Sequence, residues 1–196
     1  MDGKLKRIVG LTGGMGAGKS TLVQLVRDAG IPVLDCDAVV TQAYQDQKFA
    51  DFVGRSIGLD GPVSKAMVAQ EITRRPEMLP AVERCVMGKL EGALVEAKAS
   101  DPQPFLLIDA PMLFEMAWHV ECDFIVSVLC PREIREQRVM SRPNMSAEKM
   151  KLLMDKQHND AYRVMHSHFN IHNTGTVEQA EEKMAGIIQH LKEFYA

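Results

Sequence analysis

Apolar positions along the chain follow two rhythms. Short apolar runs occur at "RIVGL" (7–11), "PFLLIDAP" (104–111) and "FIVSVLC" (124–130), with a second strand ending in acids at "PVLDCD" (32–37) and a short fifth at "FNIHN" (169–173). Runs of this length, bounded by turn residues, predict strands buried on both faces. Between them, apolar residues recur every three or four positions. Leu22, Leu25, Val26 and Ala29 do so over 20–30, with Gly30 placed to end the helix. Residues 38–100 read as mainly helical, punctuated at "GLDGP" (58–62), Pro76 and Pro80. "REIREQRVMSR" (132–142) predicts a helix stopped by Pro143, and Ser146 can cap another running to about His166. Thr176 and Gln179 form a capping-box pair for a last helix, with Ala180, Met184, Ile187, Ile188 and Leu191 on one side. Strands alternating with helices predict an α/β fold, a parallel sheet covered on both faces in three layers.

Composition narrows the setting. The 196 residues suit one domain, and a hydrophobic fraction of 46% is enough for a core. A net charge of −3 gives no general attraction to nucleic acid or anionic membrane. Cys36, Cys85, Cys122 and Cys130 show no CxxC spacing, which reads as reduced thiols without zinc. No apolar run approaches about 18 residues, and the basic start of the chain runs at once into a glycine cluster unlike a signal peptide. A cytoplasmic protein with neither a nucleic-acid nor a membrane partner is expected. Oligomeric state is left open.

The stretch "GLTGGMGAGKST" (10–21) carries the chemistry. Gly13-x-x-x-x-Gly18-Lys19-Ser20, between a strand and a helix, fits the P-loop pattern. Gly13, Gly14, Met15, Gly16, Ala17, Gly18, Lys19, Ser20 and Thr21 would cradle a nucleoside triphosphate with backbone N–H groups. Lys19 would supply a cation to the β- and γ-phosphates, and Ser20 a hydroxyl to Mg²⁺. The guanine-reading N-K-x-D motif of GTPases is absent. Asp35 and Asp37 close the second strand at i, i+2 spacing, which would put both on one face. Either could accept a proton from a hydroxyl or hold magnesium through water. "LLID" places Asp109 at a strand end, where an acid can serve the metal. Arg135, Arg138 and Arg142 share a helical face in a segment, about 131–165, where a lid can close. The histidines 158, 166, 168 and 172 show no metal-ligand pattern and read as surface or turn residues.

In combination these stretches resemble the dephospho-CoA kinase family over nearly the whole chain. "IVGLTGGMGAGKST" is similar to its P-loop, "GIPVLDCD" to its second-strand acid motif, "DAPMLFE" (109–115) to its Pro-Leu-Leu-Phe-Glu motif, "QRVMSR" (137–142) to its lid signature and "IHNTG" (171–175) to its late Ile-x-Asn-x-Gly turn. The resemblance implies a P-loop NTPase-like fold in one domain, 1–196, with five parallel strands, a helical acceptor-binding region at about 40–100 and a lid. It implies ATP, with Mg²⁺, as donor and the ribose 3′-hydroxyl of dephospho-CoA as acceptor, the final step of coenzyme A synthesis. Asp37 would be the base or orienter, Asp35 its support or the metal's. Lys19, Arg138 and Arg142 would act on the transferring phosphoryl group, and Ser20 and Asp109 on the metal. Tyr44, Phe114 and Glu115 would join the acceptor site. Two alternatives stand beside this reading. One is a shikimate-kinase-like enzyme, which typically adds a Gly-Gly-Arg loop; the only Gly-Gly here is in the P-loop. The other is a non-catalytic nucleotide-binding protein, which would need no acceptor base.

Overall fold

The computed structural model describes residues 6–100, 103–143 and 145–195; the basic start, Met1–Leu5, lies outside them. Five strands, β1 (Arg7–Gly13), β2 (Val33–Asp35), β3 (Phe105–Asp109), β4 (Phe124–Leu129) and β5 (Phe169–His172), form one sheet in the order β2-β3-β1-β4-β5. The β1–β3, β1–β4 and β4–β5 pairs are parallel. The chain divides into two compact units, Met1–Val33 with Asp101–Ala196, and Leu34–Ser100.

In the first unit, alternate residues of the strands serve opposite faces. Val9, Leu11, Leu107, Val126, Val128 and Ile171 join Leu22, Val23 and Val26 of α1 (Lys19–Asp28) and Met184, Ile188 and Leu191 of α9 (Val177–Tyr195) in one core. On the opposite face a Cβ at Gly10 would stand 2.7 Å from Cys122 Sγ and 2.9 Å from Leu113 Cδ2, so the segment after β3 lies directly on the strand. Gly30, at φ +74°, ends α1, and its N–H donates to the Arg27 carbonyl at 2.9 Å. The capping box of α9 is formed: the Thr176 N–H donates to Gln179 Oε1 at 3.2 Å, and the Gln179 N–H to Thr176 Oγ1 at 3.4 Å.

The remaining boundaries correct the sequence pattern in places. The helix expected over 132–142 is α6 (Arg132–Met140), with Ser141 as its C-cap. The single helix expected from Ser146 to about His166 is two, α7 (Ala147–Asp155) and α8 (Asp160–His166). Ser146 caps the first, and Asn159 Oδ1 accepts the Tyr162 N–H to start the second. β2 stops at Asp35, two residues early, because Asp35 caps a helix.

The second unit holds α2 (Cys36–Ala43), α3 (Gln47–Ser56), α4 (Lys65–Arg74) and α5 (Leu79–Ser100) around Val53, Ile57, Val63, Val68 and Val82. Pro76 opens a 3₁₀ turn, as a breaker would. Pro80 does not interrupt: it lies in the first turn of α5, where no backbone N–H is needed.

Candidate active site

The P-loop starts where β1 ends and closes with the Ala17 N–H donating to the Gly14 carbonyl at 2.9 Å. Gly18 is the N-cap of α1 at φ +91°, a backbone region that costs an L-residue about 1–2 kcal/mol. Side chains from three other segments take the loop's outward polar groups. Asn173 Nδ2 donates to the Ala17 carbonyl at 2.7 Å, Arg138 Nη1 to the Gly16 carbonyl at 3.4 Å, and Gln157 Oε1 accepts the Met15 N–H at 2.7 Å. The first N–H groups of α1, those of Lys19, Ser20 and Thr21, have no carbonyl partner inside the helix. No side chain caps them at Gly18. A helix start built this way suits phosphate.

Asp109 pairs with Leu11 across the β1–β3 ladder, which puts its carboxylate at the carboxyl edge of the sheet. There its Oδ1 meets Lys19 Nζ, with the two side chains only 11% and 12% exposed. Ser20 and Thr21 are exposed. The Ser20 hydroxyl and the Asp109 carboxylate are hard oxygen donors. They fit magnesium, which binds through one or two protein oxygens and takes the rest from phosphates and water. Among the described residues no group of three or more His, Cys, Asp or Glu could hold a metal without such help.

The arginines of α6 separate by role. Arg132 lies outside, paired with Glu136 at 2.8 Å and Asp155 at 3.3 Å. Arg138 reaches the P-loop as described and lies 3.7 Å from Cys130 Sγ. Burial pushes the Cys130 thiol up, and Arg138 and Arg135 partly oppose this. Arg142 does not share their helical face, because α6 ends at Met140; it is exposed. Arg135 is nearer to the loop than the sequence indicated. Its Nε donates to the Cys130 carbonyl at 2.9 Å, and its guanidinium fills the space a Cβ would need at Gly14.

Asp35 and Asp37 are not a same-face pair on a strand. Asp35 Oδ1 accepts the Ala38 N–H at 2.9 Å and so converts the end of β2 into the start of α2. Asp37 falls in the first turn of that helix and is exposed. Tyr44 packs edge-to-face on Phe49 with ring centroids 5.4 Å apart, and Lys65 Nζ stands 5.9 Å from its ring centre. Phe114 is buried, edge-on to Tyr162 at 5.5 Å, so its ring is committed to packing. Glu115 Oε1 accepts the His158 N–H at 2.7 Å and pairs with Arg163 at 3.2 Å. Arg163 is fully buried; burial lowers its pKa, and Glu115 opposes that. His158, Tyr162 and His166 stack along α8 with successive ring centroids 3.9 Å apart.

Gln157, Arg163 and Asn173 are therefore site or site-supporting residues that the sequence did not single out. Only Asn173 carried a usable signal, the Ile-x-Asn-x-Gly turn.

Known proteins match this arrangement along its length. The family model described as CoaE, dephospho-CoA kinase, matches residues 7–179. The dephospho-CoA kinase of Rhizobium meliloti (strain 1021) is 32% identical over 190 residues, covering 94% of this chain and 98% of that protein. The crystal structure of TT1252 from Thermus thermophilus superposes with a TM-score of 0.82 at 28% identity, over 95% of this chain and 98% of that one. A shikimate kinase from Acinetobacter baumannii matches with a TM-score of 0.55 at 18% identity, over 97% of this chain and 95% of that one, a likeness of fold alone. With the family model spanning the sheet, the P-loop and the segment about α6, this chain belongs to the dephospho-CoA kinase family.

Proposed function

We propose that the protein transfers the γ-phosphoryl group of ATP to the ribose 3′-hydroxyl of dephospho-CoA, giving coenzyme A and ADP. The observation that carries this is the contact of Lys19 with Asp109 at the mouth of the P-loop, in a chain of this family. Magnesium, held by Ser20 and Asp109 with phosphate oxygens, would neutralise charge on the β- and γ-phosphates. The N-terminal turn of α1 holds the phosphates. Lys19 exchanges its carboxylate partner for phosphate oxygens when the nucleotide enters. Arg138, already at the Gly16 carbonyl, supplies positive charge where the phosphoryl group moves. Arg142 is a second, more exposed source from the same segment. Asp37 is the proposed base or orienter of the 3′-hydroxyl. Its exposure leaves it open to an acceptor, whereas the Asp35 carboxylate is engaged as a helix cap. Tyr44 is a proposed apolar contact for the acceptor. A cytoplasmic setting accords with four cysteines that show no CxxC spacing.

A coupled ADP-release assay over a panel of hydroxyl acceptors tests this. Turnover with dephospho-CoA and none with shikimate is expected. Shikimate turnover, or nucleotide binding without turnover on any acceptor, would replace the proposal with one of its two alternatives.

A further inference from the structure

Gln157 lies in the turn between α7 and α8 and uses both ends of its amide. Its Oε1 accepts the Met15 N–H at 2.7 Å, and its Nε2 donates to the Pro111 carbonyl at 3.4 Å. The same carbonyl accepts the Thr12 hydroxyl at 3.3 Å. One side chain thus joins the P-loop, the segment after β3 and the turn. The next residue is held as well. The His158 N–H donates to Glu115 Oε1 at 2.7 Å, and the buried Arg163 donates to the His158 carbonyl and pairs with that carboxylate oxygen at 3.2 Å. A turn fixed on both sides by a buried ion pair gives the glutamine one direction in which to point. Buried pairs contribute little net stability, so fixing a geometry is the use that suits this one.

We propose that Gln157, aimed by Glu115 and Arg163, is a positioning residue that sets the P-loop for nucleotide. The proposal rests on reading the loop as the ATP site, but not on the identity of the acceptor. Glu115 then acts through the turn, not by touching the acceptor. Because the loop holds phosphates before and during transfer, loss of the strap weakens nucleotide binding and spares the chemical step.

The test uses Gln157→Met, which keeps the volume and loses both hydrogen bonds, beside Gln157→Ala. ADP and Mg-ATP are titrated calorimetrically without acceptor, and steady-state rates are measured separately. Both variants should bind nucleotide about 3- to 10-fold more weakly, the loss expected from one or two neutral hydrogen bonds. KM for ATP should rise by the same factor, kcat should stay within about twofold, and the Met15 amide should exchange faster with solvent. Wild-type affinity in the Met variant would show that the side chain merely fills space, and would overturn the proposal. So would a fall in kcat at unchanged affinity. If the Ala variant fails to fold, the Met variant decides alone. Binding is read without acceptor, so a wild-type enzyme inactive on dephospho-CoA would defeat the proposed function while leaving this test intact.

Discussion

Gly18→Ala, read against Gly30→Ala, measures how tightly the P-loop is held from behind. Both glycines have positive φ, +91° and +74°, so both substitutions meet a backbone penalty of about 1–2 kcal/mol. They differ in their surroundings. A Cβ at Gly30 would meet nothing within 4 Å, whereas one at Gly18 would fall on Asn173 Nδ2. That amide must move, and its hydrogen bond to the Ala17 carbonyl is lost, costing about another 1 kcal/mol. The sum for Gly18→Ala is about 2–3 kcal/mol, and at roughly 2–4 °C per kcal/mol its melting temperature should fall by about 4–12 °C. Gly30→Ala should lose about half that. Activity should separate them further. Gly18 caps the helix whose first N–H groups are the proposed phosphate donors, so nucleotide affinity should drop at least about tenfold. Gly30→Ala, at the far end of α1, should bind as wild type does. Thermal melts and ADP calorimetry decide. Equal melting losses and unchanged affinity in both variants would mean that Asn173 does not press on the loop.

Asp37→Asn should keep nucleotide affinity yet lose about 10²–10⁴-fold in kcat, the range of a general base, as read by single-turnover transfer; retained transfer with weaker Mg-ATP binding would assign the carboxylate to the metal. Arg138→Ala should lower kcat by about 10²-fold with little change in dephospho-CoA affinity. Arg142→Ala should cost less, since its side chain is exposed and α6 ends before it; equal losses would show that Arg142 reaches the reacting groups. Asp51 accepts the Val63 N–H at 2.9 Å and a Gln47 amide N–H at 2.7 Å, and the backbone bond foremost holds its pKa below the usual carboxylate value. A lowered pKa gives stability that is present above the unfolded-state value and lost as pH falls through the folded one. Asp51→Asn should therefore flatten part of the acid limb of urea midpoints measured between pH 7 and 3, and an unchanged limb would refute that.

The inner strands β1, β3 and β4 were legible because each is a short apolar run closed by turn residues, and the parallel sheet buries both faces of such runs. Two helix starts were legible from the side chain that supplies the missing acceptor, those at Ser146 and at the Thr176–Gln179 pair. The errors have a common cause. A residue that can end one element can also begin the next, and polarity alone does not say which. Asp35 was read as the end of a strand carrying a second acid on the same face, but its carboxylate caps α2 and turns Asp37 into a helical residue. Asn159 was read inside a continuous helix, but it stops the pattern after α7 and caps α8.

The candidate site was legible on the side that would face a ligand and hidden on the side that faces the protein. Phosphate binding requires small residues, a lysine and a hydroxyl at fixed spacing, so Gly13–Thr21 announces itself. The groups that hold this loop are under a different constraint. Each must deliver one donor or acceptor to a backbone atom, and many residue types can do that from many places. Asn173 reaches the Ala17 carbonyl from beyond β5, Gln157 reaches the Met15 N–H from a turn 142 positions away, and Arg138 reaches the Gly16 carbonyl from α6. No local spacing links these residues, since the sheet order, not the sequence, brings β4 and β5 to the same side of β1. Two of the three straps come from the segment in which the lid was expected. A lid that is bonded to the loop's backbone cannot move without altering the loop's freedom. On the function proposed above, nucleotide affinity and the position of that segment would be linked through Gln157 and Arg138.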